Sequence, residues 1–229
     1  IWKDVNGFMS VSPEIVREGH LIDVLSYDEA AELAYFGAEI LHPRMVEPAM
    51  LKNIPIVIRN TFNPKHKGTA IVAQGYECKS IVKGIAYDKN IGVLKIHGAG
   101  VGYKPGVLQE ITSNIANQGL NIKSVITSQT CINILLARDD LELSYQALSK
   151  AHIRVIEHIE KVKDIVLIGI VGEGLVKAKG LAAKVFKVVA NEQVNVEMIS
   201  AGASSVAYYF IIKDKQLEKV VKAIYHEFF

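Results

Sequence analysis

The sequence predicts a mixed α/β chain whose second half holds two copies of one small βαββαβ module. A self-repeat at a fixed offset carries that expectation, together with short apolar runs that alternate, inside each copy, with apolar residues at helical spacing. Writing 94–143 above 168–217, an offset of 74 residues, pairs Gly98 with Gly172, Gly100 with Gly174, Gly106 with Gly180, Asn117 with Asn191 and Asn121 with Asn195. The apolar positions between them agree without a gap: Ile111 over Val185, Ile115 over Val189, Ile132 over Val206 and Leu136 over Phe210.

Each copy opens on an apolar run ending in glycine, residues 93–97 and 165–171, as a buried strand does before a tight loop. From Gly106, the residues Val107, Leu108, Ile111 and Ile115 have helical spacing, as do Leu181, Val185, Phe186 and Val189 from Gly180. Pro105 suits a first helical turn, where its missing N–H has no partner to lose. Two strand-like runs follow each helix, 121–128 with 131–137 and 195–201 with 206–212. A second helix then starts near Asp139 and Asp140 in the first copy and near Asp214 in the second. Residues 153–159 supply a sixth element to the first copy alone, so the ferredoxin-like sheet of the second is one strand short. The apolar stretch 80–87 is the expected donor, which inserts the first module within the second and predicts that the two fold as one unit.

Composition narrows the function classes. The 229 residues carry 26 Lys and Arg against 24 Asp and Glu, a net charge of +2, and half are apolar. That balance describes a folded globular chain and offers no basic field for nucleic acid. Cys78 and Cys131 have neither CxxC spacing nor histidines at zinc-finger intervals, which fits a reducing cytoplasm. No run approaches the roughly 18 apolar residues of a membrane span. The chain opens Ile1-Trp2-Lys3-Asp4, with neither an initiator Met nor a leader, and reads as a fragment starting inside a domain.

The glycine loop between first strand and first helix, followed by Asn-Ile or Asn-Val, resembles the ACT domain, a regulatory module that binds amino acids. Residues 194–205 (VNVEMISAGASS), ending in His226-Glu227-Phe228-Phe229, are similar to the last ACT module of aspartate kinases. Upstream, Ile1 to Gly7, the run 25–38 (LSYDEAAELAYFGA), Leu41-His42-Pro43-Arg44 and Ile54 to Asn60 resemble the end of that family's amino-acid-kinase domain. The resemblance covers essentially the whole chain. It implies a kinase-domain portion at 1–75 and tandem ACT modules at 76–229, the first at about 90–162 and the second at about 79–89 plus 163–229.

It also implies a parent reaction, ATP-dependent phosphorylation of the L-aspartate side-chain carboxylate with Mg²⁺, at the head of lysine, threonine and methionine synthesis. The family's phosphate-cradling strand and aspartate-binding residues lie upstream of this point, and residues 1–75 hold no glycine-rich phosphate loop, so the chain alone is expected to be inactive. Positions matching the family's nucleotide pocket read Lys3, Asp4, Met9, Glu39 and Ile40; Glu14 and Glu39 stand where cations are expected.

An amino-acid effector needs N–H donors for its carboxylate and acceptors for its ammonium. The loop 98–106, with Val101, Gly102, Tyr103, Lys104, Pro105 and Gly106, leads into a helix N-terminus at Val107 that favours an anion. By resemblance the opposite wall comes from the second strand of a neighbouring module, with Ser124, Thr127, Ser128 and Gln129 as polar candidates. The second loop carries Glu173, which repels a carboxylate and points to a structural role. Lysine-sensitive members place an acidic residue in the second strand where this chain has Lys123 and Ser124, which slightly favours threonine over lysine. His42, Cys131, Met45 and Met50 read as structural, the last three as core. A homodimer through the first module is expected, and a stand-alone amino-acid-sensing module is the alternative reading.

Overall fold

The computed structural model describes residues 1–38, 40–74 and 81–229. In chain order its elements are β1 (Trp2–Lys3), β2 (Val24–Ser26), α1 (Tyr27–Tyr35), α2 (Pro43–Leu51), β3 (Ile56–Asn60), β4 (Thr69–Val72), β5 (Gly84–Asp88), β6 (Gly92–His97), α3 (Val107–Ala116), β7 (Ile122–Thr127), β8 (Cys131–Leu136), α4 (Leu141–Ala151), β9 (His158–Val162), β10 (Ile165–Val171), α5 (Leu181–Asn191), β11 (Met198–Ala201), β12 (Ala207–Lys213) and α6 (Leu217–Phe228). They form two compact units, residues 1–88 with 166–229, and residues 89–165.

The larger unit holds two sheets. In the first, ordered β1-β3-β4-β2, β3 runs parallel to β1 and antiparallel to β4, which runs parallel to β2. Buried Thr69 pins it, its hydroxyl accepting from Phe8 N–H at 2.9 Å and donating to Ile22 O at 2.6 Å. Helix α1 starts in a capping box: Ser26 Oγ accepts from Glu29 N–H and the Glu29 carboxylate from Ser26 N–H. The second sheet is ordered β11-β12-β10-β5, and β5 pairs antiparallel with β10, Gly84 opposite Val171 through Asp88 opposite Leu167. Strand β10 is buried along its length: Ile168 and Ile170 join Val185, Val189, Val220 and Ile224 of α5 and α6, while Gly169 lies under Phe36, just after α1. An apolar run of seven residues is what a strand covered on both faces requires.

In the smaller unit the sheet order is β7-β8-β6-β9. Helices α3 and α4 pack on one face, where Leu94, Ile96, Ile111, Ile115, Ile132, Ile134 and Leu148 make the core. The period-2 alternation turns Lys95, His97, Cys131, Asn133 and Glu160 to the other face. There the His97 and His158 rings stack with centroids 4.3 Å apart.

Four expectations change. The sixth element of the first module is β9, at 158–162, not 153–159: Ile153 and Ile156 close a turn, and the strand register begins at His158 opposite His97. Cys131 is not a core residue, because it shares the alternation of His97; partial burial still pushes its thiol pKa up. Met45 and Met50 are about half exposed, at 49% and 50%, since α2 turns Val46 inward instead. The two modules do not share a unit: the second belongs with residues 1–74, and the first stands as its own core. The expected linker residues 75–77, together with Cys78, fall outside the described residues.

Candidate effector site

The loop after β6 folds back on the β7–β8 turn of its own module. Gly98 N–H donates to Thr130 O at 3.1 Å and Gly102 N–H to Gln129 O at 3.4 Å. A Cβ on Gly102 would stand 1.8 Å from Ser128 O, so only glycine permits this approach. Val101 and Val107 are buried and anchor the loop at both ends, leaving Gly102, Tyr103, Lys104, Pro105 and Gly106 exposed between them. Gly106, at φ +85°, caps α3 without a side-chain acceptor, and the first helical N–H, that of Val107, turns back to Lys104 O at 3.4 Å. Opposite them, Ser128 Oγ accepts from Cys131 N–H and closes the turn.

The structure brings Gly102, Ser128 and Gln129 together within one module. Thr127 ends β7 in an exposed position opposite Ile132, and Ser124 lies farther down β7, half-buried opposite Leu135, beside a register shift. The exposed Lys104 ammonium and the Ser128 and Gln129 side chains offer donors for a carboxylate and acceptors for an ammonium. Most loop amides are engaged within the loop, Val101 N–H with Gly98 O and both Tyr103 and Lys104 N–H with Gly100 O, whereas Ala99 N–H donates to a side chain, the exposed Glu157 carboxylate, at 3.0 Å.

The equivalent loop of the second module is closed. Glu173 N–H, the repeat partner of Ala99 N–H, donates to Glu29 Oε1 at 2.7 Å. Glu29 Oε2 accepts from Lys83 Nζ at 2.8 Å, and the side chains are 0% and 3% exposed. Nearby, Tyr208 OH donates to Leu175 O at 3.1 Å.

Of the nucleotide-pocket positions, Lys3 ends β1 and its carbonyl accepts from Thr61 N–H, Asp4 is exposed in the bend after it, Met9 bridges Leu21, and Ile40 is half-buried before α2. Glu39 lies outside the described residues. Glu14 accepts from the Tyr87 hydroxyl at 3.4 Å. His42 caps α2, its Nδ1 accepting from Arg44 N–H. Among the described residues, no group of three or more His, Cys, Asp or Glu is placed to hold a metal ion.

Residues 1–60 match the amino acid kinase family and residues 168–228 the ACT domain. Aspartokinase 1 of Arabidopsis thaliana, a chloroplastic protein, is 34% identical across the whole chain, which covers 41% of it. The crystal structure of Clostridium acetobutylicum aspartate kinase superposes with a TM-score of 0.91 at 30% identity, over all of this chain and 53% of that one. Along its whole length the chain is similar to aspartate kinases. It spans about half the length of these relatives or less. E. coli aspartokinase III, crystallised with lysine and aspartate in its T-state, superposes at 0.84 with 28% identity, over 100% of this chain and 51% of that one.

Within this chain, sequence reasoning passed over Glu29, Lys83 and Glu157. Ser26-x-x-Glu29 is legible as a capping box, which hides the second role of Glu29. Lys83 carried a signal: a lone cation in an apolar strand needs a buried counter-charge. Glu157 carried none, because its partner is a backbone amide brought close only by the fold.

Proposed function

We propose that the chain is the regulatory portion of an aspartate kinase and that its first glycine loop binds an end-product amino acid for feedback control. The observation that carries this reading is the exposed group of Lys104, Ser128 and Gln129 beside the start of α3, whose cap residue Gly106 supplies no side-chain acceptor. The parent enzyme uses ATP and Mg²⁺ to phosphorylate L-aspartate. Asp4 is the retained contact of its nucleotide pocket, Lys3 stands where the family carries Ser or Thr, and no step of phosphoryl transfer is assigned to these residues. The chain alone transfers no phosphoryl group, since residues 1–74 contain no glycine-rich phosphate loop.

Effector binding biases two kinase states through differential affinity, with coupling of about 1–3 kcal/mol. Threonine is favoured over lysine because Lys123 repels a second ammonium; the lysine bound to the E. coli enzyme supports the rival choice. The partner is a second copy of the chain. Strands β7 and β9 are the edges of the first module's sheet, and an unpaired edge favours side-by-side association. No helix among the described residues is long and apolar enough to cross a membrane. We assign the chain to the cytoplasm.

Thermal unfolding with threonine, lysine and methionine in turn tests the reading. A ligand at a hundred times its Kd adds about 2.7 kcal/mol of stability. A shift with one amino acid, weakened in Gln129→Ala, is expected. No shift with any of them overturns the effector reading and leaves an oligomerisation module.

A further inference from the structure

The two modules treat one backbone amide alike. Ala99 N–H in the first and Glu173 N–H in the second, related by the repeat, each donate to a glutamate carboxylate from outside their loop, at 3.0 and 2.7 Å. The donors of those carboxylates differ in kind. Glu157 comes from the first module's own chain and is exposed; Glu29 comes from α1, in the kinase-domain portion, and is completely buried. Glu29 is also held as a bound carboxylate is held. One oxygen takes the loop amide, and the other takes the Lys83 ammonium and Ser26 N–H, both at 2.8 Å.

We propose that the second module contains a carboxylate-binding site and that the chain itself fills it, with Glu29 as a tethered internal ligand. The inference rests on reading the first loop as a carboxylate site. In the first module an incoming carboxylate competes only with solvated Glu157. In the second the anion is supplied by α1 and sealed between an amide and a cation. The same loop design therefore senses in one copy and docks the kinase-domain portion in the other.

Removing the side chain should reopen the site to a small free carboxylate. The experiment compares the wild-type chain with Glu29→Ala in sodium acetate and in sodium chloride at equal ionic strength, reading the melting temperature and the exchange rate of the Glu173 amide. Expected are a lower melting temperature for Glu29→Ala, exchange of that amide faster by about tenfold or more, and saturable recovery of both in acetate but not in chloride. The Glu173 amide of wild type, whose carboxylate partner is already in place, should exchange equally in the two salts. Identical behaviour of Glu29→Ala in both salts overturns the proposal.

If Glu29→Ala does not fold, the apolar pair Glu29→Met with Lys83→Met removes the carboxylate without stranding a buried charge. Its Glu173 amide should also exchange about tenfold faster or more, and unchanged exchange overturns the proposal. The first loop is read separately, from amino-acid-induced shifts at the Gly102 and Gln129 amides of wild type. Their absence removes the effector reading whatever Glu173 does.

Discussion

Phe36 and Gly169 form a knob and hole whose energetics can be worked from the geometry. Phe36 is 1% exposed, and its ring lies 5.5 Å from that of Tyr209. A Cβ on Gly169 would stand 2.3 Å from Phe36 Cδ2 and 2.5 Å from Cγ. Gly169→Ala therefore forces the ring aside and costs about 1–3 kcal/mol, the usual penalty of overpacking. Phe36→Ala costs about 3–5 kcal/mol in lost transfer energy and cavity. In the Phe36→Ala background the methyl at position 169 meets the vacated space. Gly169 has no left-handed backbone, so alanine there gains about 0.4–1 kcal/mol by narrowing the unfolded ensemble. The pair should show a favourable coupling of about 2 kcal/mol. Urea unfolding of wild type, both single variants and the double variant measures it, read from amide exchange in β10 because a bulk signal mixes two units. Additivity within about 0.5 kcal/mol would refute the packing argument.

Gly102→Ala places a methyl against Ser128 O and should abolish the effector-induced melting shift while leaving β6–β8 pairing intact by amide exchange. Glu157→Gln weakens the competitor for Ala99 N–H and should tighten effector binding several-fold by calorimetry; unchanged affinity removes Glu157 from the site. Burial raises the Glu32 pKa above its ordinary value, against an opposing hydrogen bond from Ser204. A raised carboxyl pKa means that the folded state holds the proton more tightly, so this contribution is present at low pH and lost as pH rises through the folded value. Glu32→Gln should gain stability relative to wild type as pH rises from 4 to 7. Sedimentation at tens of micromolar should give a dimer, and a monomer refutes pairing through the first module.

The fold class was legible because repetition is a global signal: one offset aligned glycines and core positions that local propensity alone leaves ambiguous. The fully apolar run at β10 announced a strand covered on both faces. Misplacing β9 has a physical cause, since Ile153 and Ile156 are apolar for turn packing, whereas the strand carries alternating exposed His158 and Glu160. Cys131 misled for a related reason: its neighbours Ile132 and Ile134 are core, but alternation sends Cys131 and Asn133 the other way. At the candidate site, glycines were readable because backbone approach demands them. Their partners were not, because Gly102 meeting Ser128 and Glu173 meeting Glu29 depend on tertiary closure that spacing does not encode.

The register between β5 and β10 has a topological meaning. Asp88 lies directly opposite Leu167, at the end of an antiparallel pair that runs back to Gly84 and Val171. Two strands so joined are the arms of a hairpin, and the smaller unit occupies the position of its turn. A two-residue Asn-Gly loop is the ordinary closure for such arms. The smaller unit is in that sense a cassette: excising 89–166, which is that unit together with Val166 of β10, and bridging Asp88 to Leu167 with Asn-Gly keeps every β5–β10 pair from Gly84 opposite Val171 to Asp88 opposite Leu167. Insertion at a hairpin tip is how a sensing domain can be gained or exchanged without redesigning the scaffold that carries it.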